Sequence, residues 1–254
     1  MAGTDKRRKV VLGGPTVVLV DPQLGQNIGM VARAMLNCGL SELSLVRPRD
    51  GWPSETAVAA AAGAEAILAR ARLFDTTKQA VADFRRVFAM TARARDMVKP
   101  VATPRQAARD LRRAAAAGEA AGVLFGPERS GLTNDDLALA ERMISVPLNP
   151  GFSSLNLAQA VLLLGYEWYQ AADDTPGQRL VRGRGKPAPK GELANFFARL
   201  EAALDDTGFF HPPEKRAGMV RNLRNLFQRA ELSDAEVRTL HGVITSLRTG
   251  PRDD

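Results

Sequence analysis

The chain has few of the residues from which disulfides, metal centres and membrane spans are built. Its one cysteine, Cys38, excludes an internal disulfide and a zinc cluster built from cysteines. Its two histidines, His211 and His241, do not have the close spacing of a helical zinc site. No apolar run approaches the ~18 residues that a membrane helix needs. We therefore expect no metal site and no membrane-spanning helix, and we expect Cys38 to be a small core residue.

What the chain does contain is an ordinary globular composition with an excess of positive charge. Of its 254 residues, 45% are hydrophobic and 25% are charged, so a sizeable core is available. The net charge is +7, which favours a polyanionic partner, nucleic acid before membrane. The charged first nine residues lead into an apolar stretch broken by Gly-Gly-Pro, a pattern unlike that of a secretory signal. We expect a cytoplasmic protein.

Short β-branched runs alternate with helical segments over the first two thirds of the chain. The predicted strands are 16–21, 43–48, 85–91, 121–126 and 143–148. The predicted helices are 25–37, 55–71, 103–117, 133–140 and 154–171. This alternation predicts an α/β fold, a parallel sheet with helices on both faces, in which ligands bind at the carboxyl ends of strands. Loops that follow strands are therefore the places where we expect a site.

The composition changes at residues 173–190, which contain three prolines and several basic side chains. Such a stretch is typical of a flexible cationic linker. Beyond it, the segments 191–206, 212–230 and 233–248 have helical periodicity. We therefore predict a main domain at 1–172, a basic linker at 173–190 and a small helical region at 191–254.

The first stretch with functional interest is LGQNIGMVARAML, residues 24–36. On a helix, Ile28, Val31 and Met35 form a core stripe, while Gly29 and Arg33 lie on a different face. A glycine inside a helix costs about 1 kcal/mol, so close approach of another group at Gly29 would explain its presence. The alternative is a solvated arginine beside a tolerated glycine.

The second stretch is LFGPERSGL, residues 124–132, where a predicted strand runs into a glycine-rich loop. The glycines allow close approach of a ligand, and Glu128 and Arg129 could contact an anionic or hydroxylated group. A plain surface turn is the alternative. The loop matches neither a Walker motif nor a dinucleotide-binding fingerprint. This mismatch disfavours a nucleotide-dependent oxidoreductase.

The third stretch, NPGFSSLNLAQA at 149–160, places loop-forming residues directly before an apolar helix. Ser153 or Ser154 is expected to cap this helix, which leaves Asn156 without an explanation. Residues 160–165 are apolar on every side of the helix. The helix is therefore predicted to be buried all round, in the domain centre or in a subunit interface.

These three stretches together resemble the SPOUT superfamily of RNA methyltransferases, in its SpoU (TrmH) branch. The motif Asn-x-Gly-x-x-x-Arg is met by Asn27, Gly29 and Arg33. The motif Phe-Gly-x-Glu-x-x-Gly is met by Phe125, Gly126, Glu128 and Gly131, and the third by Pro147, Ser154, Leu155 and Asn156. The sequences of the second and third stretches, together with TARAR at 91–95, are similar to those of TrmJ-type tRNA methyltransferases. One departure is that Ala158 and Gln159 stand where many members of the branch have a small hydroxyl residue.

The resemblance implies a C-terminal trefoil knot, a homodimer, and transfer of methyl from S-adenosylmethionine to a ribose 2′-oxygen of tRNA, at nucleotide 32 of the anticodon loop. By the same resemblance, the cofactor pocket is lined by Thr91, Ala92, Arg93, Gly126, Val146, Ser153, Ser154 and Leu155.

The resemblance also assigns the catalytic role to Arg33, which would orient the ribose, with Asn27, Glu128 and Asn156 as supports. Free arginine stays protonated, so we expect the hydroxyl proton to leave through a neighbour or water. The methyl donor is already positively charged, so no metal is required. The terminal helices and the linker would bind tRNA phosphates, the linker through Arg179, Arg182, Arg184, Lys186 and Lys190.

Two further functions remain open at this point. One is a ribosomal-RNA 2′-O-methyltransferase with the same fold and chemistry. The other is a catalytically silent RNA-binding assembly factor, which need not bind S-adenosylmethionine. The basic linker could also be a solvated segment that does not bind RNA.

Overall fold

The computed structural model describes Arg7 and residues 9–92, 97–178 and 186–249. Within these residues, strands and helices alternate as predicted. The strands are β1 (Thr16–Val20), β2 (Leu43–Val46), β3 (Arg72–Phe74), β4 (Arg86–Met90), β5 (Val101–Ala102), β6 (Ala121–Phe125) and β7 (Arg142–Ile144). The helices are α1 (Gly25–Asn37), α2 (Glu55–Ala61), α3 (Glu65–Ala69), α4 (Thr77–Val81), α5 (Pro104–Ala116), α6 (Asn134–Ala138), α7 (Leu157–Gln170), α8 (Lys190–Asp206), α9 (Arg216–Arg229) and α10 (Asp234–Thr249).

The strands form one seven-stranded sheet in the order β3-β2-β1-β6-β4-β7-β5. Every strand pairing in it is parallel, which confirms the predicted α/β sheet. β1 and β6 lie side by side in its middle, with Val17 opposite Val123 and Leu19 opposite Phe125. The carboxyl ends of β1, β4, β6 and β7 therefore meet along one edge, where ligands bind in sheets of this kind.

Helices cover both faces of this sheet because its central strands are apolar on both sides. Val17 and Leu19 of β1 pack into a core with residues of α1, α2, α3, α5 and α7. Val18 and Val20 point the other way and pack with residues of α4 and α6. Continuous apolar strands of this type require cover on both faces. Cys38 is buried as expected, and its burial raises the pKa of the thiol.

Several short elements differ from the sequence-based expectation. The predicted helix 55–71 is broken into α2 and α3 because Ala62 and Gly63 adopt positive φ values of 46° and 100°. β3, α4 and β5 were not predicted, since each has five residues or fewer and carries no clear periodicity. The apolar helix begins at Leu157 and not at 154.

The contacts divide the chain into two compact units, Met1–Thr175 and Pro176–Asp254. In the second unit, α8, α9 and α10 enclose a small core that contains Phe196, Phe197, Val237 and Ile244. Ser233 caps α10 as predicted, because its hydroxyl accepts a hydrogen bond from the Glu236 amide and the Glu236 carboxylate accepts one from the Ser233 amide. Across the described residues, no helix is both long and apolar enough to span a membrane.

Candidate active site

A chain of hydrogen bonds joins the three sequence motifs at the carboxyl edge of the sheet. Asn27, in the first turn of α1, donates from Nδ2 to Oε1 of Glu128 over 2.6 Å. Asn156, just before α7, donates from Nδ2 to Oδ1 of Asn27 over 3.1 Å. The second carboxylate oxygen of Glu128 accepts a hydrogen bond from the backbone amide of Gln23 over 3.0 Å. Three segments that are distant in the chain are thereby fixed to one another.

Asn27 is buried, with 4% of its surface exposed, and both ends of its side-chain amide have partners in the network. A buried amide needs such partners, because leaving one unsatisfied costs about 1–3 kcal/mol. The carboxylate of Glu128 is likewise occupied at both oxygens. Glu128 therefore orients Asn27 and the loop that contains Gln23.

The residue that caps α7 is Asn156, and the expectation that Ser153 or Ser154 does so is wrong. The Asn156 side chain accepts a hydrogen bond from the Ala158 amide, and the Gln159 side chain accepts one from the Asn156 amide. This pairing is a capping box shifted two residues along the chain from Ser154. The shift leaves both serines in the loop before the helix, where their hydroxyls are free of the capping role.

The loop between β6 and α6 is a tight turn with glycine at two positions that disfavour a side chain. Gly131 has a φ of +68°, and its amide donates to the Pro127 carbonyl over 2.9 Å. A Cβ on Gly126 would lie 2.3 Å from the backbone nitrogen of Leu132, so no side chain fits there. The turn brings Glu128 to the network and the backbone of 126–131 to an adjacent pocket.

This pocket lies where the loops after β4, β6 and β7 meet. All seven described members of the predicted cofactor set line it, so the structure brings them to one place. These residues are Thr91, Ala92, Gly126, Val146, Ser153, Ser154 and Leu155. Glu128 and Arg129 also line it, with apolar side chains that include Met90, Leu148 and Leu157. Arg93, the eighth member of the set, lies outside the described residues.

Arg33 is not among the residues that line the pocket. It lies on α1 with its side chain exposed, and it makes no hydrogen bond or ion pair with another described residue. Gly29, one turn earlier, has the close neighbour that the sequence suggested. A Cβ there would lie 2.1 Å from the Ala57 carbonyl oxygen, so Gly29 lets α2 pack directly on α1.

Sequence reasoning missed two contributors to this region. The backbone amide of Gln23 could not have been found, since any residue has one. Lys99 was also missed: its ammonium donates to the carbonyls of Leu137 (2.7 Å), Ala138 (3.0 Å) and Ala140 at the end of α6. Lys99 thereby fixes the start of β5 to the end of the helix that follows the glycine-rich loop.

An ion pair supports the start of the first motif. Asp21 and Arg47, which follow β1 and β2, both have positive φ values, 47° and 45°. Arg47 donates from Nε and Nη2 to the two carboxylate oxygens of Asp21 over 2.8 and 3.0 Å, and from Nη1 to the Asp75 carbonyl. The hydrogen bonds that Arg47 donates to the Asp21 carboxylate raise the pKa of the Arg47 guanidinium above its usual value. The pair holds two uncommon backbone conformations beside the loop that contains Gln23.

Of the five predicted RNA-binding residues in the linker, Arg179, Arg182 and Arg184 lie outside the described residues. Lys186 and Lys190 are exposed. The Lys186 carbonyl accepts a hydrogen bond from the Asp234 amide, which fastens the start of this segment to α10. Among the described residues, no group of His, Cys, Asp or Glu side chains could hold a metal ion.

Two family models match this chain. Residues 14–166 match the SpoU rRNA Methylase family. Residues 191–253 match the tRNA methyltransferase TrmJ, C-terminal domain. The chain belongs to the SpoU methylase family, in its TrmJ group. The first model covers the parallel sheet and all three motifs of this SpoU methylase, and the second covers α8 to α10.

Several tRNA methyltransferases are similar to this SpoU methylase over about 90% of its length. A protein of Sodalis glossinidius, tRNA (cytidine/uridine-2′-O-)-methyltransferase TrmJ, is 39% identical over 237 residues, which are 91% of this chain and 90% of that protein. A Pseudomonas aeruginosa protein, tRNA (cytidine/uridine/adenosine-2′-O-)-methyltransferase TrmJ, is 37% identical over 90% of this chain and 91% of its own. The crystal structure of TrmJ from Z. mobilis ZM4 is 47% identical, with a TM-score of 0.79, and covers 92% of this chain and 99% of that one.

Proposed function

We propose that this protein transfers a methyl group from S-adenosylmethionine to a ribose 2′-hydroxyl of tRNA, at nucleotide 32 of the anticodon loop. The observation that carries the proposal is the hydrogen-bonded chain Glu128–Asn27–Asn156 at the edge of one pocket. It unites all three motifs of the family in one place. The names of the relatives, tRNA 2′-O-methyltransferases, give the substrate class.

The pocket has the chemistry that S-adenosylmethionine requires. The apolar side chains of Leu148, Leu155 and Leu157 would hold the adenine ring, and the hydroxyls of Ser153 and Ser154 could hydrogen-bond its polar groups. The glycine turn presents backbone amides without side chains in between. When bound, the donor supplies a methyl group already activated by a sulfonium.

The side chains of the protein would then position the ribose. A 2′-hydroxyl is a poor nucleophile, so alignment with the methyl group and removal of its proton decide the rate. We assign ribose or phosphate orientation to the guanidinium of Arg33. Asn27, Glu128 and Asn156 hold the pocket edge rigid, and the proton leaves to a neighbouring group or to water.

Because Arg33 does not line the pocket of its own protomer, we propose that it acts at the pocket of a second subunit in a homodimer. The exposed stripe of α1 contains Met30 (40% exposed) beside Arg33. α7 was expected to be apolar and covered on every side, yet Leu162, Tyr166 and Tyr169 are 41%, 55% and 40% exposed. Apolar faces of this kind mark an interface. A dimer that covers them would bring Arg33 of one protomer to the pocket of its partner.

We also propose the trefoil knot of the family. β7 lies between β4 and β5, although these two strands follow each other in the chain. Strands that follow each other in the chain are neighbours in most sheets, so this insertion of a later strand between them is uncommon. The segment after β7 contributes Val146, Ser153 and Ser154 to the pocket, as a knotted cofactor loop would.

The basic linker and the C-terminal helices are proposed to bind tRNA, with Lys186 and Lys190 among the contacts. The match of residues 191–253 to the TrmJ C-terminal domain supports this role. A tRNA substrate is consistent with action in the cytoplasm.

The experiment that tests the proposal is methylation of purified tRNA with labelled donor, followed by mapping of the methylated ribose. We expect 2′-O-methylation at nucleotide 32. Methylation of ribosomal RNA alone would favour the ribosomal enzyme. Absence of both donor binding and methyl transfer would indicate the silent assembly factor.

A further inference from the structure

α9 has positive charge along its whole length. Between Arg216 and Arg229 it has four arginines and neither aspartate nor glutamate. α8 has the opposite bias toward its end, where Glu201, Asp205 and Asp206 follow Arg199. Charge is therefore segregated between these two helices of the second unit.

Two of the four arginines of α9 are used inside the unit. Arg216 forms two hydrogen bonds with the carboxylate of Asp205, over 2.9 and 2.5 Å, and Arg224 donates to Glu201 over 2.7 Å. Each also lies over an aromatic ring, Phe210 or Phe197. These contacts fasten one side of α9 to α8.

The other two arginines, Arg221 and Arg229, lie on the exposed surface of α9. Val220 is buried and Phe227 packs against the core of the unit, whereas Arg221 and Arg229 are exposed. Neither has a hydrogen bond or ion pair with any residue that the structure describes. Asn225 lies midway between them at a spacing of four residues. The three side chains therefore form a line of about 12 Å along the helix.

We propose that this line, Arg221–Asn225–Arg229, binds the sugar-phosphate backbone of the RNA substrate. The proposal rests on the proposed function, because it takes tRNA as the substrate. Guanidinium groups bind phosphate through paired hydrogen bonds, and the amide of Asn225 can bond a phosphate or a 2′-hydroxyl between them. We call this surface the α9 face.

The charge and composition of the α9 face favour nucleic acid over an apolar partner. Asn222, Asn225 and Gln228 line the shallow groove beside Arg229, and Leu226 is its one large apolar side chain. The ion pairs that hold α9 to α8 are those of Arg216 with Asp205 and Arg224 with Glu201, and neither involves Arg221 or Arg229. Their positive charge is thus left available to an anionic ligand.

The test is the binding of tRNA to full-length protein in which Arg221→Ala and Arg229→Ala are combined. Alanine favours the helix, so folding is expected to persist. Each lost phosphate contact lowers the dependence of log K on log salt by about 0.7–0.9, so we expect the slope to fall by about 1.5. We expect Kd for tRNA to rise about tenfold at low salt, with binding of S-adenosylhomocysteine unchanged.

Two further variants make the result specific. The combination of Arg70→Ala and Arg85→Ala removes the same charge from exposed positions just before β3 and β4, at the amino edge of the sheet. It should leave the salt slope unchanged. The combination of Arg221→Lys and Arg229→Lys should keep most of the dependence of log K on log salt, since the positive charge is retained.

An α9 variant with wild-type affinity and slope would overturn the inference, as would an equal loss in the control. Failure of the proposed function is a separate result, in which the unmodified protein neither binds nor methylates tRNA.

Discussion

Asn27 and Asn156 lie 129 positions apart in the chain, yet one donates a hydrogen bond to the other over 3.1 Å. Asn156 caps α7 with its side-chain oxygen and contacts the start of α1 with its nitrogen. One side chain therefore fixes the position of the last helix of the sheet domain and attaches it to the first. The capping role alone would not require asparagine, since serine or threonine also caps a helix.

Replacement of Asn27 by alanine should impair both stability and methyl transfer. It removes the donor to Glu128 and the acceptor for Asn156, and unsatisfied groups of this kind cost about 1–3 kcal/mol each. We expect a lower melting temperature and a kcat/KM reduced at least about tenfold, measured by thermal denaturation and by transfer of labelled methyl. Asn37→Ala, at the exposed end of α1, is the control. Equal activity of the two variants would contradict the role of the network.

Substitution of Arg33 should separate catalysis from donor binding. Arg33 lies outside the pocket of its own protomer, so Arg33→Ala should leave S-adenosylhomocysteine affinity unchanged in calorimetry. Methyl transfer should fall about a hundredfold or more, which is the range for a group that orients a reactant. The control is Gln26→Ala on the same exposed stripe. Normal turnover of the Arg33 variant would remove this residue from the reaction.

Substitution of Gly126 should have the opposite effect, on donor binding. A Cβ at this position would meet the Leu132 nitrogen at 2.3 Å, so Gly126→Ala must displace the turn that lines the pocket. We expect S-adenosylhomocysteine binding to weaken about tenfold or more in calorimetry. Gly191→Ala, where a Cβ has open space, should bind as the unmodified protein does. Unchanged binding by the Gly126 variant would place the donor elsewhere.

A charge on the exposed stripe of α7 should separate the proposed dimer. Leu162→Glu puts a carboxylate among Tyr166 and Tyr169, which a buried interface would not tolerate. Light scattering should report a monomer, and activity should fall because Arg33 no longer reaches a partner's pocket. Leu73→Glu on the edge strand β3, which is 51% exposed, should change neither. A monomeric variant with full activity would mean that Arg33 acts within its own chain.

The sequence by itself determined five of the seven strands, their alternation with the main helices, the parallel sheet and the three motifs. Apolar runs such as TVVLV identify buried strands, because a strand covered on both faces needs apolar residues throughout. Gly126 and Gly131 could be predicted to form a close turn, since glycine permits close packing of the backbone and a positive φ. These features depend on residues near one another in the chain.

The tertiary structure alone decided which groups meet. It showed that the neighbour of Gly29 is α2, that Asn156 and not a serine caps α7, and that Lys99 bonds the end of α6. It also left Arg33 outside the pocket that the other motif residues form. Hydrogen bonds across a hundred residues depend on how the helices pack against the sheet, and local sequence patterns do not contain that information.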